Sequence, residues 1–209
     1  MSGFDWCKGE EKVVGIDSLT ERMLCANHNS KLSLFDQTAK GAIESFVTGS
    51  SKNAIDGNAF ERWLVKTAVN LSLRSGLKIG AGMTGAGPGV PPDYLLDVLF
   101  RGVELTMKLG AYFVFPRGRV VYKAGEICFA PIFRDGEIGG ALFGLRGQFI
   151  FLNLLPGHAP ASLGAICPNA IDRAFWDSDL VYRPRELLMI NENSERSVVE
   201  FQWKMKDAA

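Results

Sequence analysis

From Ala111 onward the chain is dense in Val, Ile, Phe and Tyr and is broken at short intervals by Gly, Pro and Asp-Gly, whereas the stretch before it carries helical periodicity. That segregation constrains the fold more than any motif does. Helices gathered before strands favour an α+β arrangement over an alternating βαβ design. The expectation is a set of N-terminal helices packed on a C-terminal antiparallel β-sheet or partly open barrel. The 209 residues read as one domain, with 1–110 mainly helical and 111–209 mainly antiparallel strands.

Three helices can be argued from their ends. Ser33 followed by Asp36 resembles a capping box, and Phe35, Ala39, Ala42, Ile43 and Phe46 recur at helical spacing until Gly49-Ser50-Ser51. Asn58 and Glu61 form a second capping box, ahead of a stripe of Phe60, Trp63, Leu64, Thr67, Ala68 and Leu71 that Gly76 ends. The third follows Pro91-Pro92 and places Leu95, Leu96, Leu99, Val103 and Thr106 on one face before Gly110. Such stripes are core-facing surfaces before they are cofactor linings.

Beyond Gly110, strands are expected over 111–115, 119–123, 126–133, 137–145 and 148–155. Asp135-Gly136 closes a hairpin between the third and fourth of these. A last pair, 186–190 and 197–203, is joined across 191–194, and Val199, Phe201 and Trp203 alternate with Val198, Glu200 and Gln202. Gly80-Ala81-Gly82-Met83-Thr84-Gly85 matches a dinucleotide fingerprint by letter. The fingerprint needs a strand before it and a helix at its last glycine. Here a helix precedes it, and Pro88, Pro91 and Pro92 postpone the next one, so a connecting loop is expected.

Lys+Arg and Asp+Glu number 23 each, so a basic face for a polyanion can arise only through local segregation. The longest apolar runs, such as 148–155, fall short of the ~20 residues needed to cross a bilayer, and the N-terminal residues lack a signal layout. No membrane partner and a cytoplasmic location are the expectation. The four cysteines are too few and too dispersed for a disulfide framework, and Cys128 and Cys167 stand in apolar surroundings.

The most chemical stretch is Leu24-Cys25-Ala26-Asn27-His28-Asn29-Ser30, where Cys25 and His28 have the two-residue gap of a metal-binding knuckle. Cys7 could supply a third ligand, and zinc is the cofactor such a set would take. The plainer alternative packs Cys25 in the core and leaves His28 and Asn29 to cap or turn hydrogen bonds.

With Leu32, Ser33 and Asp36 behind it, this stretch resembles the last segment of HNH-type, ββα-metal nuclease modules of uncharacterised bacterial proteins. The resemblance covers residues 20–36. It implies that Cys25 and His28 correspond to the second structural pair and Asn29 to a metal-site residue. The family's catalytic histidine precedes its cysteines, and neither of the two histidines here precedes Cys25. Loss of a general base removes about 10²–10⁴-fold in rate, so no catalytic residue is assigned.

Arg117, Arg119 and Lys123, interleaved with Phe113, Phe115 and Tyr122, form one basic stretch, and Arg183 with Arg185 a second. Such mixtures can hold phosphates while rings stack on bases, though alternation in a strand would also place rings inward and charges in water. His158 reads as a loop histidine, and Asp172, Asp177 and Asp179 as a solvated cluster. The function expected is a noncatalytic nucleic-acid-associated or assembly role with an HNH-like knuckle. The alternatives are a metal-free module binding an apolar ligand or protein partner, and an active metal-dependent nuclease.

Overall fold

The computed structural model describes residues 26–49, 54–106, 108–117, 127–157, 160–166, 175, 177–190 and 196–204. Helix α1 spans Ala26–Thr48, β1 Ile55–Asp56, α2 Gly57–Ser75 and α3 Asp93–Phe100. Strands β2 (Gly110–Phe115), β3 (Ile127–Arg134), β4 (Glu137–Leu145) and β5 (Gln148–Asn153) follow, then α4 (Leu163–Ile166), β6 (Asp179–Tyr182), β7 (Glu186–Ile190) and β8 (Arg196–Gln202). The α+β expectation holds, with helices first and strands after. The strands form a five-stranded sheet in the order β3-β4-β5-β2-β6 and a small mixed sheet in the order β1-β8-β7, and neither closes into a barrel.

All pairings in the larger sheet are antiparallel. Its helix-facing side carries Ala111, Phe113, Ala141, Phe143, Ile150 and Leu152, which merge with Leu64, Ala68, Leu95 and Phe201 into the main core. The opposite side carries Tyr112, Val114, Leu142, Phe149 and Phe151, covered by Leu163 and Phe175 in a second apolar cluster. Cover on both faces explains why β4 and β5 read as continuous apolar runs without alternation. Asp135 (φ 53°) and Gly136 (φ 79°) make the expected β3–β4 turn, and Arg146 (φ 51°) and Gly147 (φ 85°) repeat that geometry between β4 and β5. Gly140 sits where a Cβ would run into the Leu152 carbonyl and the Phe151 ring, so close strand packing needs glycine there.

The helix ends differ from the sequence expectations. Ser33 lies inside α1, where its hydroxyl donates back to the Ser30 carbonyl at 2.7 Å, and Asp36 instead pairs with Lys66 of α2 at 2.6 Å. The cap of α2 is Asp56, which accepts from the Ala59 amide at 3.0 Å, two residues ahead of the expected Asn58. Asn58 turns to the C-terminal strand, with its Oδ1 accepting from the Lys204 amide at 2.6 Å. Gly76, at φ 69°, ends α2 as expected. Helix α3 stops at Phe100, short of Thr106, because Gly102 takes a left-handed φ of 76° and redirects the chain.

The glycine-rich stretch connects α2 to α3, and no helix opens at Gly85. It is stitched to β4 instead: the Ile138 amide donates to the Lys78 carbonyl at 2.8 Å and the Gly80 amide to the Ile138 carbonyl at 2.9 Å. The expected strand over 119–123 lies outside the described residues, and β6, absent from the sequence reading, forms within the acidic cluster. No helix of the described residues is long and apolar enough to cross a membrane.

Candidate functional site

Of the residues assigned from sequence, Cys7, Cys25, Arg119 and Lys123 lie outside the described residues, as does His158. His28 and Asn29 fall in the first turn of α1, where only the backbone is described. Among the described residues no group of three or more His, Cys, Asp or Glu could hold a metal ion.

The remaining basic residues have separate fates. Arg117 follows β2 in the open and grips Asp179 at the edge of β6, with its Nη2 donating at 2.6 Å and its Nε at 3.3 Å. That pairing holds the Asp179 carboxyl below its ordinary range and raises the Arg117 guanidinium. Arg185 is exposed. Arg183, read from sequence as part of a contact patch, turns inward, and its side chain is only 8% exposed.

Arg183 meets the Glu61 carboxylate, itself 5% exposed, in a two-pronged pair: Nε donates to Oε1 at 3.0 Å and Nη2 to Oε2 at 2.7 Å. Nη2 also donates to the Leu105 carbonyl at 3.1 Å, and Glu61 Oε1 accepts from the Ala111 amide at 2.8 Å. The guanidinium lies over the rings of Tyr182 and Trp203, 4.9 and 5.7 Å from their centroids. Gly110, at φ 121°, completes the fit, because a Cβ there would strike Glu61 Oε1. Burial pushes the Glu61 carboxyl upward, against the opposing pull of Arg183 and the Ala111 amide. Sequence reasoning had spent Glu61 on a helix cap, and its partner is 122 residues away.

Two tyrosines extend this junction. The Tyr112 and Tyr182 rings meet at a 45° tilt with centroids 4.9 Å apart, and their hydroxyls donate to the Lys108 and Leu109 carbonyls at 2.9 and 3.0 Å. Burial, reinforced by Tyr182, pushes the Tyr112 phenol from 10.0 up to about 12, and Tyr182 is raised as well. The fold thus favours the neutral Tyr112, so its contribution is fully present below pH 10.0 and is lost as pH climbs through about 12. In an alkaline absorbance titration Tyr112 should ionise at about 12, and replacing it by Phe should remove that late step. A Tyr112 that titrates at its ordinary value would contradict the packing described.

A cavity of about 370 Å³ opens between the glycine-rich loop (Ala81, Gly82), the β3–β4 turn (Arg134, Asp135, Glu137) and Leu155-Pro156. Its Glu137 is paired with Lys78 at 2.6 Å. Every buried side-chain nitrogen or oxygen among the described residues has a hydrogen-bond partner. Exposed large apolar side chains stand on the strands, with Phe115 on β2, Ile127 and Phe133 on β3, Val181 on β6 and Leu188 with Val198 on β7 and β8, and also at Leu34 and Val47 on α1 and at Val90 and Val103 in the loops on either side of α3.

No protein-family model matches the chain, and neither a curated protein nor a solved structure matches it.

Proposed function

We propose that the protein is a noncatalytic assembly module in the cytoplasm: an α+β body that binds a protein partner on an exposed sheet surface, carrying the Cys25-x-x-His28 segment as an HNH-like appendage. One observation carries the reading. Six of the exposed apolar side chains lie on strands of the two sheets, at Phe115, Ile127, Phe133, Val181, Leu188 and Val198, while Arg183 and Arg117, two of the three described arginines that the sequence offers for phosphate contact, are engaged by Glu61 and Asp179. That distribution suits a protein surface better than a polyanion.

The test uses the untagged full chain with labelled DNA and RNA and either Mg²⁺ or Mn²⁺. No cleavage is expected, and no retention that falls steeply with salt, since such a slope would report phosphate contacts. Reproducible cleavage abolished by His28→Ala would overturn the noncatalytic reading. The Cys25-x-x-His28 spacing, with Cys7 as a third ligand, would hold zinc. Stoichiometric zinc lost on Cys25→Ser, together with salt-sensitive nucleic-acid binding, would move the function from the sheet surface to that segment.

A further inference from the structure

Strand β7 lies at the end of its sheet, with β8 as its sole described neighbour. The Phe201 amide donates to the Arg185 carbonyl at 2.8 Å, and this fixes the phase of the ladder. In the antiparallel register that pairs Leu187 with Val199 and Met189 with Ser197, the odd-numbered residues of β7 bond to β8. Glu186, Leu188 and Ile190 therefore turn their amides and carbonyls away from β8, to the side where no described strand lies. Natural edges are usually blunted by Pro, Lys, a bulge or brevity. Edge strand β3 carries Pro131 and a register break at Ile132/Phe133, while β1 is two residues long. β7 has none of the first three devices.

The outward face of the β7–β8 pair is patterned. Leu188, 61% exposed, stands directly opposite Val198, 43% exposed. At one end Glu186 is opposite Glu200, two like charges in direct register, with no ion pair to either among the described residues. At the other end Arg196 is paired in register with Ile190 and likewise has no described ion pair. The strip is thus acidic at one end, apolar in the middle and basic at the other.

We infer that the free edge of β7 pairs antiparallel with the same edge of a second copy of this chain, around a two-fold axis at Leu188. The operation places Leu188 against its own copy, with mutual backbone bonds. It also brings Glu186 beside position 190 of the second copy, one strand from that copy's Arg196, so each acidic end faces a basic end. The two sheets become one continuous sheet whose centre is an apolar row of Val198, Leu188 and their copies. This inference rests on the assembly reading above and names its partner.

Sedimentation of the untagged full chain across the micromolar range tests it, with a dimer expected. Leu188→Pro removes an outward amide that β8 does not use, so the fold should survive while the dimer dissociates. Glu186→Arg and Arg196→Glu should each weaken association roughly five- to thirty-fold through two symmetric contacts, and combining them should restore it. The combined variant keeps the test decisive if Leu188→Pro loses its far-UV circular dichroism. A monomeric wild type would overturn the inference, as would a dimer indifferent to Leu188→Pro or to the charge reversals. Neither result touches the noncatalytic reading, which falls only to nucleic-acid cleavage or salt-sensitive retention.

Discussion

Glu61→Leu should destabilise the protein by about 3–5 kcal/mol, because it leaves the Arg183 guanidinium buried without its counter-charge. For a domain of this size that corresponds to a fall in melting temperature of about 2–4 °C per kcal/mol. Arg183→Met should cost a comparable amount by stranding the carboxylate. The double variant Glu61→Leu with Arg183→Met should recover much of the loss, since neither charge then remains to be solvated. Recovery stays incomplete, because the Ala111 amide and the Leu105 carbonyl lose partners and each unmet group costs about 1–3 kcal/mol. Urea unfolding with an unchanged slope checks the series. Additive losses in the double variant would show that the two side chains do not act as a pair.

Why this junction escaped the sequence is a matter of range. The hairpin around Asp135-Gly136 was legible because turn chemistry is local, and so was the end of α2 at Gly76. The strands β4 and β5 were legible from apolar density alone. Glu61 and Asn58 misled because a capping box and a tertiary contact can use the same letters. Asp56 caps the helix, which frees Asn58 to hold Lys204 and Glu61 to hold Arg183. The expected contact role of Arg183 had the same origin: its charge was visible, but the carboxylate that draws it inward comes from another part of the chain. Strand β6 was hidden by the acidic cluster it begins in, whose Asp179 is held by Arg117 across 62 residues. Local signals specified the elements, and long-range pairing decided which polar residues remained available at the surface.

The apolar counterpart of the polar junction is Phe60, fully buried where α1, α2 and β8 converge. Its ring meets Phe46 edge-on at 6.3 Å, stacks on Trp63 at 6.0 Å and leans on Phe201 at 5.8 Å. Phe46 and Phe201 are themselves neighbours at 6.3 Å, so removing Phe60 takes away one corner, and with it two of the three sides, of a triangle that ties the end of α1 to the final strand. Phe60→Ala should therefore cost about 3–5 kcal/mol, combining lost burial with a cavity that the surrounding rings cannot close. The damage should also be uneven. Amide exchange in α1 and β8 should accelerate more than in β4 and β5, whose burial on both faces does not depend on this ring. A uniform acceleration across all elements would mean that α1 is not a separately stabilised layer, and that the helices and the larger sheet open only together.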